Sequence, residues 1–250
     1  MSAPTAVHPS AFVGPGVELG VGVVVGPLAV LLGPTTIGDF VRIGPGAHVG
    51  GAPEIASVRQ NNAWDGDLDH HEIRIGTHTN LRDGVVVHHG SRRPTLIGAS
   101  CQLFSRAYVA HDVQVGDGVT LSGGVSVGGH ATIGDGANLG MNACVHQFRS
   151  IGPGAMVGMG TPVTRDLPPF SLVFGTPPRL HGVNRVGMTR AGVPEATIER
   201  VEVWLMAGAA PEAREVLDVD DVTGVVGAAL AWWRDLPERD SVTVAARAQS

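Results

Sequence analysis

Eleven histidines lie in this 250-residue chain, and four of them keep regular distances. His111 to His130 is 19 residues. His88 to His111 is 23, or 19 once a four-residue insertion between Val87 and Ile97 is set aside. His130 to His146 is 16. Imidazole titrates near neutral pH, carries protons and ligates metals. A histidine alone reads as a hydrogen-bonded structural residue, whereas four recurring at such steps read as a site. Asp112 follows His111 directly. A carboxylate beside an imidazole can hold its tautomer and raise its basicity, which is the pairing of a general base with an orienting partner. On a flat strand neighbouring side chains point to opposite faces, so contact requires the chain to bend between these two residues. Gly129, just before His130, offers a backbone N–H with no side chain over it, suited to a developing oxyanion. No acidic pair, serine elbow or phosphate-binding loop stands beside these residues.

The elements that position them are set by a second period. From Ile97 every sixth residue is aliphatic: Leu103, Val109, Val115, Leu121, Val127, Ile133, Leu139, Val145, Ile151, Val157 and Val163. Val7, Val13, Leu19, Val25, Leu31, Ile37, Ile43 and Val49 keep the same step. A period of six fits neither a helix nor a simple alternating strand. It fits a coil that turns a corner every six residues with one aliphatic side chain inward per face. Glycine follows the aliphatic residue at most steps (Gly98, Gly116, Gly128, Gly134), and with the prolines it is read as serving the tight corners. Three faces make a coil of about 18 residues of parallel β-structure. Spacings near 19 then put His88, His111, His130 and His146 in a column at one edge.

The register breaks twice, at a polar loop over residues 51–72 and at a shorter one over 88–96 carrying HHGSRRP. Loops that interrupt a rigid scaffold are common places for binding. Prolines 162, 168, 169, 177 and 178 are expected to end regular stacking near Val163. After Pro194 the spacing turns helical, with Ile198, Val201 and Leu205 as one stripe and Val222, Val225, Val226, Leu230 and Trp233 as another. Helix starts are expected at Pro194 and Pro211. The expected organisation is a mainly β solenoid over 1–180 and a small helical domain over 181–250.

Composition narrows the classes. Four per cent aromatic residues and 36 glycines suit a thin aliphatic solenoid rather than a conventional globule. A net charge of −6 argues against binding a nucleic-acid polymer. No stretch is long enough to span a membrane, so no membrane insertion is expected. Cys101 and Cys144 form no disulfide framework, both read as core or near-core, and point to a cytoplasmic location.

Three segments, AYVAHDVQVGDG (107–118), GGHATIGDGANLGMNACVHQF (128–148) and GVNRVGMTRAG (182–192), resemble the UDP-N-acetylglucosamine acyltransferase family of the lipid A pathway. The resemblance implies a left-handed parallel β-helix and a homotrimer with sites between neighbouring solenoids. It implies that His111 is the general base, taking a proton from a sugar hydroxyl that attacks an acyl thioester on acyl carrier protein. It places the oxyanion donor at Gly129 and substrate contacts at His130, His146, Gln147, Asn184 and Arg190; the histidine column adds His88 as a further substrate contact, and adjacency adds Asp112 beside the base. Met159 falls where the family limits acyl length, and a methionine there fills volume, so a chain of about ten carbons or fewer is expected. No cofactor or metal is implied. The thioester, on acyl carrier protein or coenzyme A, is a co-substrate, and the acceptor is a nucleotide sugar or a related hydroxyl. At the position of a second family histidine stands Tyr108, and at that of a glutamate, Val186.

Three other readings share the fold: acyl transfer to an amine or a specialised metabolite, a γ-carbonic-anhydrase-like zinc enzyme using His88, His89 and His111, and a solenoid without catalysis. In the zinc family a further histidine stands five residues after the position of His111, where this chain has Gly116. A bare scaffold has no need of His111, Gly129, His130, His146 and Gln147 at one edge.

Overall fold

A computed structural model describes residues 4–58, 60, 69–208 and 224–236. Short strands of two to five residues, all parallel but the last, stack into three sheets of ten, eight and seven strands. Each strand pairs with the one a full coil away: Leu103 with Leu121, Val109 with Val127, Val115 with Ile133. The 18-residue coil is therefore the unit of stacking. The insertions show as longer offsets, with Asn80 opposite Gln102 across the 88–96 loop and Arg42 opposite Asn80 across the loop after Gly51. Of the residues 51–72, those at 59 and 61–68 lie outside the described residues.

The sixth-residue aliphatic side chains fill the interior, most of them fully buried. A second inward row lies two residues earlier in each face: Ala29, Val41, Ala47, Cys101, Ala107, Val119, Ala131, Ala137 and Ala143. These small side chains close the corners of the triangular core. Cys101 belongs to this row, whereas Cys144 sits on an outward position and is exposed. Val7 and Val13 are 42% and 37% exposed despite their register. They belong to the first coil, which has no coil stacked beneath it.

The glycines that follow the aliphatic residues do not supply the positive φ angles. Those fall on the third residue after the aliphatic position, where glycine (Gly118, Gly136, Gly160) alternates with Arg106, Asp112, His130, Asn142 and Phe148 at φ of 57–66°. Glycine directly after the aliphatic residue is required by close approach. A Cβ on Gly98 would lie 2.5 Å from the Gly116 carbonyl carbon, and one on Gly128 2.7 Å from Gln147 N.

The prolines end the solenoid later than expected. Pro162 lies in the last strand of the eight-stranded sheet, Pro162–Val163. Each coil donates its N–H groups to the next one, as from Cys144 to Thr161 O, and in this sheet Pro162 has no further strand to donate to. One more parallel strand, Ser171–Phe174, stacks on Met156–Val157, and antiparallel Arg179–Val183 covers its edge. Helices α1 (Arg185–Arg190), α2 (Glu195–Met206) and α3 (Gly224–Arg234) follow. Pro194 is the N-cap of α2, which buries Ile198, Val201 and Leu205. Helix α3 buries Val226, Leu230 and Trp233 but leaves Val225 exposed. The expected start at Pro211 and Val222 lie outside the described residues. No described helix is long and apolar enough to cross a membrane.

Candidate active site

The edge after the eight-stranded sheet carries the histidines. Val87, Val109, Val127 and Val145 are in register there, so the residues after them form three parallel rows one coil apart, about 4.8 Å per step. His88 and His146 share the first row, separated by Ala110 and Gly128. His89, His111, Gly129 and Gln147 form the second. Asp112, His130 and Phe148 form the third, in the left-handed backbone conformation. The expected single column is thus three adjacent rows, and only part of the set meets.

The bend at Asp112, with φ of 63°, brings its carboxylate back to His111: Nδ1 lies 2.7 Å from Oδ2. Asp112 is fully buried. Its Oδ2 also accepts from Ser91 N at 3.0 Å and Ser91 Oγ at 2.7 Å, and its Oδ1 from Arg92 N and Arg93 N, each at 2.7 Å. Burial by itself raises a carboxyl pKa. The donors from Ser91, Arg92, His111 and Arg93 outweigh it and hold Asp112 well below the usual carboxylate range. An ionised Asp112 has no hydrogen to donate, so the hydrogen of this bond belongs to His111 Nδ1, and in the neutral ring that tautomer leaves the lone pair on Nε2.

Gly129 stands directly above His111. A Cβ there would lie 2.5 Å from His111 Cε1 and 2.7 Å from Nε2, so only glycine fits. At some other corners this N–H is removed by proline (Pro27, Pro45, Pro153) or taken by an aspartate one coil on, as Asp117 N is by Asp135 Oδ1 at 2.9 Å. Among the described residues no protein group accepts from Gly129 N–H.

His130 packs edge-on to His111 with ring centroids 5.1 Å apart, and stacks on Phe148 at 4.6 Å and 4°. Its Nε2 is 3.7 Å from Asp112 Oδ2. Burial lowers its pKa and outweighs the attraction of Asp112, with His111, Arg93 and Arg92 lowering it further. Arg93 ties the two coils together, donating from Nε to Asp112 O at 2.8 Å and from Nη2 to His130 O at 3.2 Å.

His111, Asp112 and His130 are close enough together to suggest a metal site. The carboxylate does not fit that role. Five donors already occupy the roughly four acceptor positions of an ionised Asp. His88, wanted by the zinc reading, is turned elsewhere: its Nδ1 donates to Ala52 O at 2.7 Å and its ring packs on Tyr108, whose hydroxyl donates to Glu54 at 2.6 Å.

Other expected residues lie apart from His111. His146 and Gln147 are exposed two coils above it. Asn184 caps α1, accepting from Gly187 N at 3.0 Å and donating to Gly154 O at 2.9 Å, and it lines a cleft of about 280 Å³ with Phe170 and Trp232. Arg190 is exposed in the last turn of α1. Met159, 70% exposed, stands three coils further on, at the corner after the ten-stranded sheet. Residues the spacing did not single out are Ser91, Arg92, Arg93 and Phe148, and also Thr95, whose Oγ1 accepts from Asp112 N at 2.9 Å. The insertion carrying the first three was legible, but its contacts with Asp112 were not.

Comparison with known proteins gives the family. Residues 166–204 match the family model described as UDP-N-acetylglucosamine O-acyltransferase, domain 2. The acyl-acyl-carrier-protein–UDP-N-acetylglucosamine O-acyltransferase of Rhizobium johnstonii is 35% identical over 196 residues, 77% of this chain and 69% of that protein. That of Halorhodospira halophila is 37% identical over 219 residues, 79% and 82%. The solved UDP-N-acetylglucosamine acyltransferase from Campylobacter jejuni superimposes with a TM-score of 0.77 at 22% identity, covering 97% of this chain and 98% of that one. The fold is accordingly the left-handed parallel β-helix. At 35–37% identity over more than two thirds of each partner, the chain is a member of the UDP-N-acetylglucosamine O-acyltransferase family.

Proposed function

We propose that the protein transfers an acyl group from an acyl-carrier-protein thioester to a hydroxyl of UDP-N-acetylglucosamine. The observation that carries this reading is the His111–Asp112 pair, with Gly129 packed so closely on the imidazole that a Cβ would lie 2.7 Å from Nε2. His111 Nε2 takes the acceptor hydroxyl proton as the oxygen attacks the thioester carbonyl. The tetrahedral oxyanion accepts from Gly129 N–H. Collapse breaks the C–S bond, and the imidazolium returns its proton to the leaving thiolate, giving an ester and a free carrier thiol. His130 and the exposed His146 and Gln147 serve acceptor binding, and no metal or cofactor takes part.

A homotrimer completes the site. Phe104, Met141, Phe148 and Met159 are 38–70% exposed along the solenoid edges, which suits a wall buried between copies. Met159 is remote from His111 within one protomer and bounds the acyl chain from a neighbouring one. Free Cys101 and Cys144 fit a reducing cytoplasm.

Mass spectrometry of products from UDP-N-acetylglucosamine and acyl-carrier-protein donors of graded length tests the reading. The expected product is a mono-acylated nucleotide sugar. Transfer only to an amine acceptor, or none with any donor, overturns it.

A further inference from the structure

The 88–96 loop is a larger investment than a corner of this solenoid needs. Most corners turn through a glycine or a single residue such as Arg106 or Asn142 with no partner loop. At Asp112 the inserted residues close around one carboxylate. Ser91, Arg92 and Arg93 give it three backbone N–H donors, Thr95 Oγ1 accepts from its own N–H, and Pro94 O accepts from Gln114 Nε2 at 2.7 Å. The loop is itself anchored by the paired bonds between His71 and Gly90, at 2.9 and 3.1 Å. Only one of the donors to the carboxylate, besides His111, is a side chain: the Ser91 hydroxyl, at 2.7 Å from Oδ2. That is the same oxygen that holds His111 Nδ1.

We propose that Ser91 is a positioning residue for His111: its hydroxyl and N–H hold Asp112 Oδ2 in the place from which that oxygen orients the imidazole. This rests on the acyl-transfer reading above for its catalytic meaning. Sharing Oδ2 among three donors has two consequences. It fixes the oxygen in position, so that Nε2 is aimed at the space under Gly129. It also spreads the negative charge, so that Asp112 orients the ring without drawing it fully into an ion pair. Loss of the hydroxyl leaves more of the charge on Oδ2 for His111 Nδ1–H, which favours the imidazolium. The other titratable and charged groups at this corner are His130 from the coil above, in ring contact with His111, His89 in the same row one coil below, and Arg92 and Arg93 of the loop, whose charges act on His130. Ser91→Ala leaves all of them in place, so a change belongs to the hydroxyl.

The test compares the parent protein with Ser91→Ala and Ser91→Thr. Ser91→Ala is expected to lower kcat roughly ten-fold with KM little changed, and to move the acidic limb of the rate profile to higher pH. Ser91→Thr, which keeps the hydroxyl, is expected to restore both. In parallel, the His111 ring is followed by heteronuclear NMR against pH in the free proteins. Its midpoint is expected to be higher in Ser91→Ala than in the parent or in Ser91→Thr. An unshifted limb and an unshifted ring midpoint in Ser91→Ala overturn the proposal, even if activity falls with stability. The NMR comparison needs no substrate, so it decides the role of Ser91 whether or not the acyl-transfer reading holds.

Discussion

His111 and Asp112 are neighbours in sequence, and it is the left-handed backbone at Asp112 that lets their side chains meet. An L-residue in that conformation is strained by about 1–3 kcal/mol, and here the strain is offset by five hydrogen bonds to one carboxylate. The depressed pKa of Asp112 has a consequence for stability. A carboxyl whose pKa is lowered by folding stabilises the native state above the ordinary value near 4, and that contribution is lost as the pH falls from there toward the folded value. The parent is therefore expected to exceed Asp112→Asn in unfolding free energy most at pH 7, with the gap narrowing below about pH 4. Denaturant titrations at pH 7 and pH 3.5 check this, and a gap independent of pH would contradict it. Gly129→Ala is expected to push the imidazole aside, because its methyl would lie 2.5 Å from His111 Cε1. Displacing the ring by about an ångström is expected to lower kcat about 10²-fold, read by steady-state kinetics alongside a melting curve near that of the parent.

At the scale of the elements, one repeat explains both the core and the site. Leu121→Ala is expected to cost about 2–5 kcal/mol, since its side chain is fully buried in a stack that cannot collapse. Its outward neighbour Thr120→Ala is expected to stay within about 0.5 kcal/mol. Chemical denaturation distinguishes the two. The aliphatic period was readable because the interior accepts one large side chain per face and no polar one. The second inward row is harder to see, since small residues such as Ala107 and Ala131 occur at inward and outward positions alike. The glycines were read for the wrong reason: Gly98 and Gly128 are needed by the backbone of the next coil, and the positive φ falls two residues later. That error matters for the site, because the third position is where Asp112, His130 and Phe148 stand. His88, His111, His130 and His146 were assigned to one edge from spacing, yet the spacing could not resolve neighbouring rows. His88 turned out to hold Ala52, and Asn184 to cap α1. Ser91 escaped notice because a serine in a loop carries no pattern; only folding brings it to Asp112.

For the whole molecule, the open edges argue for assembly. Light scattering is expected to give about 77 kDa for three 25.8 kDa chains, and a monomer would leave Met159 without an acyl chain to bound. If Met159 sets donor length from a neighbouring protomer, Met159→Gly is expected to shift preference from roughly ten carbons or fewer toward longer donors, read by competition among carrier-protein donors. An unchanged preference would assign length selection elsewhere. The central claim is that His111 moves the proton in acyl transfer. Its most direct test is the initial rate of ester formation by the parent and by His111→Ala with UDP-N-acetylglucosamine and the best acyl donor. The account predicts a fall of about 10²–10⁴-fold in a variant that still folds and assembles. A rate within a few-fold of the parent would contradict it.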